Sequence, residues 1–289
     1  MIVGVVTPVR NAADRVTQTI HSVLDQTAVR DRRVKIRYVI QDGDSTDGTA
    51  DQARLAADGR ATVISGPDTG MYDGLAKGFA EIESQGGADW YCYLNAGDLW
   101  DSQALDLVSH VAQTTKTDWL CGLHAYFSAN GSIVHTKLPF RYRRELLRAG
   151  AYGRGLPTIQ QESTFWRADL QSLVNPNQLS TFAVAGDSYL WWTFAQRSEP
   201  TIIEALLGGF RYHGGHLGVN KIEYRDEIAR ICGPLPPLVR ARIPAERALW
   251  EQPTRAKARL NPHLLRYDIA SGGWKTSSAD VPAPPHFRR

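Results

Sequence analysis

The chain has 289 residues, 43% of them apolar, which is enough for one large domain or two small ones around a sizeable core. A formal net charge of +3 is too small to indicate a nucleic-acid binder. Three scattered cysteines, Cys92, Cys121 and Cys232, with no C-x-x-C pair, speak against a disulfide framework or a structural zinc site and fit a reducing compartment. The charge is unevenly spread: residues 233–289 carry ten Arg/Lys against four Asp/Glu, so this end is basic and the preceding part slightly acidic. No secretion pattern follows Met1, and no apolar run approaches the roughly 20 residues needed to span a bilayer. The expected location is cytoplasmic. The basic, Trp-bearing extension suits either an anionic membrane surface at the inner face or plain solvation.

Ile2-Val3-Gly4-Val5-Val6 is a short continuous apolar run, the pattern of a strand covered on both faces. Thr7-Pro8-Val9-Arg10-Asn11 stops it, and Val16, Ile20, Val23 and Leu24 follow at helical spacing. Residues 34–40 predict a second strand, with Val34, Ile36, Tyr38 and Ile40 on one face. It runs into Gln41-Asp42-Gly43-Asp44-Ser45-Thr46-Asp47-Gly48-Thr49, whose Ser, Thr and Asp residues suit the cap of a following helix. Residues 61–65 predict a third strand, 71–84 a third helix and 90–94 a fourth strand, which ends in Leu94-Asn95-Ala96-Gly97-Asp98. This alternation predicts a parallel, doubly wound sheet whose ligands bind beyond the carboxyl ends of the strands.

After Asp98 the rhythm changes. Ala104, Leu105, Val108 and Val111 suggest a helix, and residues 119–127 and 132–138 two strands joined by an Asn130-Gly131 hairpin turn. Residues 142–149 look helical and basic, 150–157 form a Gly-rich loop long enough to move, 183–196 a helix, 201–210 a strand and 222–231 a helix. Gly233-Pro234-Leu235-Pro236-Pro237 marks a domain edge, and beyond Ser271 the composition points to disorder.

There is no G-x-x-x-x-G-K-[ST], no G-x-G-x-x-G after the first strand and no G-x-S-x-G elbow, which removes P-loop nucleotidases, dinucleotide dehydrogenases and serine hydrolases of that type. What remains is a set of carboxylates at strand ends: Asp42, Asp44, Asp68, Asp73 and Asp98. Singly, each is an ordinary turn or cap residue. Together at one edge they suit Mg2+ or Mn2+ and the diphosphate such a cation neutralises.

Seven segments in order resemble family 2 glycosyltransferases of the GT-A fold. Thr7 to Asn11 and Gln41 to Thr49 look like that family's opening, and Ser65-Gly66-Pro67-Asp68-Thr69-Gly70-Met71-Tyr72-Asp73-Gly74-Leu75-Ala76-Lys77-Gly78 is similar to its S-x-P-D-x-G-x-Y-D-A-x-N-K-G segment. Leu94-Asn95-Ala96-Gly97-Asp98 looks like its metal-binding turn. Gln161-Glu162-Ser163-Thr164-Phe165-Trp166-Arg167, Ala185-Gly186-Asp187-Ser188-Tyr189-Leu190-Trp191 and Gly209-Phe210-Arg211-Tyr212-His213 resemble three later stretches of one branch. Departures are Gly74 and Ala76 in the third segment, Ala168 after Arg167, and Asn95 and Gly97 where many relatives carry further aspartates.

The resemblance implies an α/β GT-A fold: a mostly parallel doubly wound sheet, a smaller mixed acceptor-side sheet and a C-terminal extension. Residues 1–100 would bind a nucleotide sugar (UDP-, GDP- or dTDP-linked), 101–232 would bind a saccharide or lipid-linked acceptor and carry catalysis, and 233–289 would be the extension. Thr7, Pro8, Arg10, Asp42, Asp68, Asp73, Lys77, Asn95 and Gly97 would form the donor site, and Asp98 would hold Mn2+ or Mg2+, with His213 a further candidate ligand. Asp187 would deprotonate the acceptor hydroxyl, in a single displacement with inversion. Gln161, Glu162, Trp166 and Trp191 would contact the acceptor, although Glu162 also suits a cap and the tryptophans also suit a core. Arg141, Arg143, Arg144 and Arg148 suit a lipid-linked pyrophosphate or a solvated face. A nucleotidyltransferase, or a glycan-binding protein on a degenerate transferase domain, are the competing readings.

Overall fold

The computed structural model describes residues 1–212, 221–269 and 271–276; His213, His216 and the expected disorder beyond residue 276 fall outside them. Strands β1 (Ile2–Val9), β2 (Lys35–Asp42), β3 (Thr62–Ser65) and β4 (Trp90–Tyr93) lie parallel, in the spatial order β4-β1-β2-β3. Seven of the eight residues of β1 are buried, as a strand covered on both faces requires. Helix Val16–Leu24 buries Val16, Ile20, Val23 and Leu24, the stripe its spacing predicts, together with Thr19. Helix Met71–Ser84 comes so close to the sheet that a Cβ on Gly78 would lie 2.4 Å from Val6 Cγ1, so only glycine permits this packing. Because the strands are parallel and in register (Val9 opposite Asp42, Asp42 opposite Ser65), the turns that follow β1, β2 and β3 leave at the same edge.

The second half differs more from expectation. Residues 119–127 are two strands, β6 (Trp119–Cys121) and β7 (His124–Phe127), and they belong to different sheets. Residues 201–210 divide in the same way into β10 (Thr201–Ile202) and β11 (Gly208–Arg211). The cause is a shared bend. Gly122 has no room for a side chain beside Leu207 and the Ala205 carbonyl, and Leu123 N–H bonds to that carbonyl, so both chains change sheet together. Strand β9 (Thr164–Arg167) runs antiparallel between β4 and β6 and completes a seven-stranded sheet, β10-β6-β9-β4-β1-β2-β3. A smaller mixed sheet has the order β5-β11-β7-β8, with β5 at Leu99–Trp100 and β8 at Ile133–Lys137. Gly131, at φ 84°, makes the β7–β8 turn.

The loop at 150–157 is tied down rather than free. Arg154 donates to the carbonyls of Ala149, Gly150 and Gly233, and Ala151, Tyr152 and Leu156 are buried. The extension is also more structured than its composition suggests. Helix Pro237–Trp250 buries Trp250 against Tyr142 (5.0 Å) and Tyr152 (6.2 Å), and Lys257 and Asn261 donate to the carbonyls of Leu138 and Phe140. A hairpin of β12 (Leu265–Asp268) and β13 (Gly273–Thr276) bridges to Ile203, so order continues past Ser271 to Thr276. Three of the four arginines offered to a pyrophosphate are engaged: Arg141 with Glu199, Arg143 with Glu246, and Arg144 with the Ala195 carbonyl. Among the described residues no helix is long and apolar enough to cross a membrane.

Candidate active site

Three of the four polar turns are laced together. The buried Asp42 carboxylate accepts from Ser45 N–H (3.1 Å), the Ser45 hydroxyl and Ser65 Oγ (2.6 Å), joining the turns after β2 and β3. Asn11 reaches across from β1, donating its N–H to Ser45 Oγ (2.8 Å) and accepting from Thr46 N–H (3.0 Å). Asp68 accepts from Gly70 N–H and packs so tightly on Gly43 that a Cβ there would lie 2.5 Å from Asp68 Oδ2. Burial pushes the Asp68 carboxyl up, partly offset by the Gly70 N–H. Asp73 pairs with Lys77 (2.9 Å) and accepts from Thr69 N–H. Burial works to raise its pKa, but the Lys77 ammonium and that N–H outweigh it and hold the group below the usual range. Pro8 is buried beside Gly74, and Arg10 is exposed on the same turn. Thr7 does not line a pocket. Its side chain is wholly buried and its hydroxyl is bonded to Tyr38 OH (2.8 Å), because this position of β1 faces the core.

The fourth turn is held from two sides. Thr19 accepts from Gly97 N–H (2.8 Å) and donates to the Asp98 carbonyl (2.9 Å), while Arg211 N–H on β11 grips Asp98 Oδ1 (3.0 Å). Gly97 takes φ 113°, a conformation that favours glycine. Beside Asp98 stands Glu162. Gln161 Nε2 lies between them, 2.7 Å from Glu162 Oε1 and 3.5 Å from Asp98 Oδ2, and the two carboxyls are within hydrogen-bond reach of each other. Both are almost fully buried. Burial, then the adjacent Glu162, pushes Asp98 well above the usual carboxylate range, and burial raises Glu162 to about 7. Two buried carboxyls this close disfavour being ionised together.

Two further oxygens nearby in sequence, Asn95 Oδ1 and Gln161 Oε1, are buried without a hydrogen-bond partner. Carboxylate and amide oxygens are the hard donors that Mg2+ and Mn2+ prefer, so Asp98 and Glu162 with these two unpartnered amide oxygens fit a divalent cation. Among the described residues no group of three His, Cys, Asp or Glu side chains could hold a metal, so such an ion would need oxygens from a ligand or water as well. Glu162, expected on the acceptor side, faces Asp98 instead.

Asp187 sits in the first turn of helix Gly186–Phe194. Its carboxylate accepts from Ser188 N–H (2.7 Å) and Tyr224 OH (3.0 and 3.2 Å). Burial raises its pKa to about 6 against those hydrogen bonds and one from Tyr72, and its charge is felt by Glu162. Gly186 packs on Tyr72 so closely that a Cβ would fall 2.4 Å from the ring. Trp166 and Trp191 are not available to an acceptor. They are 0% and 3% exposed and pack against each other at 5.9 Å, with Trp119 stacked on Trp191 at 5.5 Å. Trp166 belongs to the central strand β9, which places it in the core.

The profile of glycosyl transferase family 2 matches residues 4–168, more than half of the chain. The chain belongs to glycosyl transferase family 2. Compared by sequence with curated proteins, it matches none. Among solved structures it is similar to S. aureus TarS (13% identity, 90% of this chain and 42% of that one, TM-score 0.56). It is also similar to TarS residues 1–349 in complex with UDP-GlcNAc (13% identity, 90% and 70% coverage, TM-score 0.57). A third likeness is to glucosyl-3-phosphoglycerate synthase from Mycobacterium tuberculosis with Mn2+, UDP and phosphoglyceric acid (17% identity, 81% and 79% coverage, TM-score 0.52). The chain thus spans about two fifths of TarS. The likenesses and the sheet order together establish the GT-A fold. The match to the family 2 profile takes in Asp98 and Glu162 and ends before Asp187.

For this family 2 chain, two supporting residues had no signal in the sequence. Glu227, 1% exposed on helix Lys221–Cys232, accepts from the N–H groups of Ala183, Val184 and Ala185 (2.9, 3.0 and 2.7 Å), anchoring the segment that leads into Asp187. Tyr224 lies one turn earlier and bonds Asp187 itself. Both lie in a stretch rich in charge that looks solvated in one dimension.

Proposed function

We infer that the protein is an inverting glycosyltransferase that moves a sugar from a nucleoside-diphosphate donor to a hydroxyl of a saccharide or lipid-linked acceptor. The observation that carries this is the presence of two kinds of buried acid: Asp187, a single carboxylate held by Ser188 N–H and Tyr224 OH, and the neighbouring carboxyls Asp98 and Glu162 bridged by Gln161. A base with a pKa near neutrality is suited to take the acceptor proton as the new bond forms, helping by roughly 10²–10⁴-fold. The acceptor oxygen then attacks the anomeric carbon while the bond to the diphosphate breaks, and one displacement inverts the configuration. Mn2+ or Mg2+ held by Asp98 and Glu162 would neutralise the charge that leaves with the nucleoside diphosphate. Asp98 is presented for this by Arg211 N–H and Thr19, and Asp187 by Glu227 and Tyr224.

The donor would lie over the turns after β1, β2 and β3, where Asp42, Asp68 and Asp73 with Lys77 shape a polar floor. TarS and the mycobacterial synthase were solved with UDP-GlcNAc and UDP, which supports a nucleoside-diphosphate sugar as the donor here, with UDP-, GDP- and dTDP-linked sugars the set to test. Residues 1–100 serve the donor and 101–232 the acceptor and the base. A melting screen of these nucleotide sugars with and without Mn2+ tests the reading. The true donor at 100 times its Kd should stabilise the fold by about 2.7 kcal/mol, and more with the cation than without. No shift with any donor, with or without Mn2+, would overturn it.

A further inference from the structure

On the smaller sheet, next to the carboxyl pair, lies an open cavity of about 330 Å³ lined by His124, Tyr126, His135, Lys137 and Tyr212. Tyr126 and Tyr212 are nearly parallel, with ring centroids 5.7 Å apart and planes 19° apart, and His135 adds a third ring 6.0 Å from Tyr126. Strand pairing puts Tyr126 opposite Phe210, while Tyr212 follows Arg211, whose N–H holds Asp98. The aromatic wall is thus joined to Asp98 through β11, one residue from the N–H that holds it.

The chemistry of the cavity is aromatic and close to neutral. Lys137 is paired with Glu251 (3.1 Å). His124 is bonded to Tyr142 OH (2.6 Å), and burial lowers its pKa to about 4, so it carries no charge near neutral pH. Little therefore favours an anion. Flat rings with hydroxyl and imidazole edges match instead the C–H face and hydroxyl rim of a pyranose. We propose that Tyr126, Tyr212 and His135 form a stacking platform for a neutral sugar ring of the acceptor. This replaces Trp166 and Trp191, which are buried, as the aromatic contact to the acceptor. The inference rests on the glycosyltransferase reading given above.

The test is saturation-transfer NMR of wild-type protein with a panel of neutral hexose and N-acetylhexosamine oligosaccharides, beside UDP binding with Mn2+ by calorimetry. At least one oligosaccharide should bind wild type and keep binding when UDP is present. Tyr212→Ala should weaken it about tenfold, Tyr212→Phe should restore it, and neither change should alter UDP affinity. Three results would each overturn the platform while UDP still binds: no oligosaccharide signal, equal binding to Tyr212→Ala, or displacement of the sugar by UDP. Failure of every nucleotide and nucleotide sugar to bind would instead sink the underlying glycosyltransferase reading.

Discussion

Replacing Asp187 with Asn isolates the proposed base with little structural disturbance. Asn keeps one oxygen, which can accept from Ser188 N–H (2.7 Å) and Tyr224 OH (3.2 Å) as Oδ1 does, while the amide NH2 replaces the Oδ2 that now accepts from Tyr224 OH (3.0 Å) and the charge is lost. Transfer should fall by 10²–10⁴-fold, equivalent to roughly 3–5 kcal/mol of barrier, with the donor Kd unchanged. Stability should move the other way. The carboxyl has a pKa of about 6, raised from its unfolded value near 3.8, so the native state binds the proton more tightly and stability falls as pH rises from about 4 to 6. Above pH 6 the wild type bears that cost, at most about 3 kcal/mol and less for a partly accessible side chain. Asp187→Asn should therefore melt no lower than wild type at pH 8. The assay is nucleoside-diphosphate release with acceptor across pH 5–9, beside calorimetry of donor binding. Wild-type kcat/KM should rise through pH about 6, and that limb should vanish in the variant. Near-normal turnover by Asp187→Asn, or an unchanged limb, would refute the assignment.

The carboxyl pair has its own signature. Because Glu162 is raised to about 7, the protein without divalent cation should lose stability as pH rises from about 4.5 through 7. Mn2+ should restore the melting temperature at pH 8, and Glu162→Gln should flatten the loss and weaken Mn2+ affinity measured by calorimetry; an unchanged pH slope would contradict the pairing. Glu227→Ala strips three N–H groups of their acceptor, that of Ala185 buried, and should cost about 2–4 kcal/mol in urea unfolding, while lowering kcat more than donor affinity. Trp166→Ala should cost roughly 3–5 kcal/mol as a core cavity. Trp166→Phe, by contrast, should leave the KM for acceptor unchanged, and a selective rise in that KM would return the residue to the acceptor site.

Local chemistry carried much of this protein in one dimension. The apolar run of Ile2 to Val6, the stripe of Val16, Ile20, Val23 and Leu24, and the polar turns at Asp42, Asp68 and Asp98 determined a doubly wound sheet with its ligand edge. Each depends on neighbours a few residues away, and seven ordered motifs pointed to the family. Tertiary packing decided the rest. Asp98 meets Gln161 and Glu162 across a separation of more than 60 residues, and Ala183 to Ala185 hang from Glu227 more than 40 residues later. No local pattern distinguishes Glu227 from a solvated glutamate, and the motif that singles out Glu162 does not reveal that it faces Asp98. The strands expected at 119–127 and 201–210 divide because Gly122 and the Ala205 carbonyl bend together, which neither segment reveals alone. The same reason governs Trp166 and Trp191: aromatic side chains suit a sugar or a core equally well, and burial between β9 and helix Gly186–Phe194 assigns them to the core.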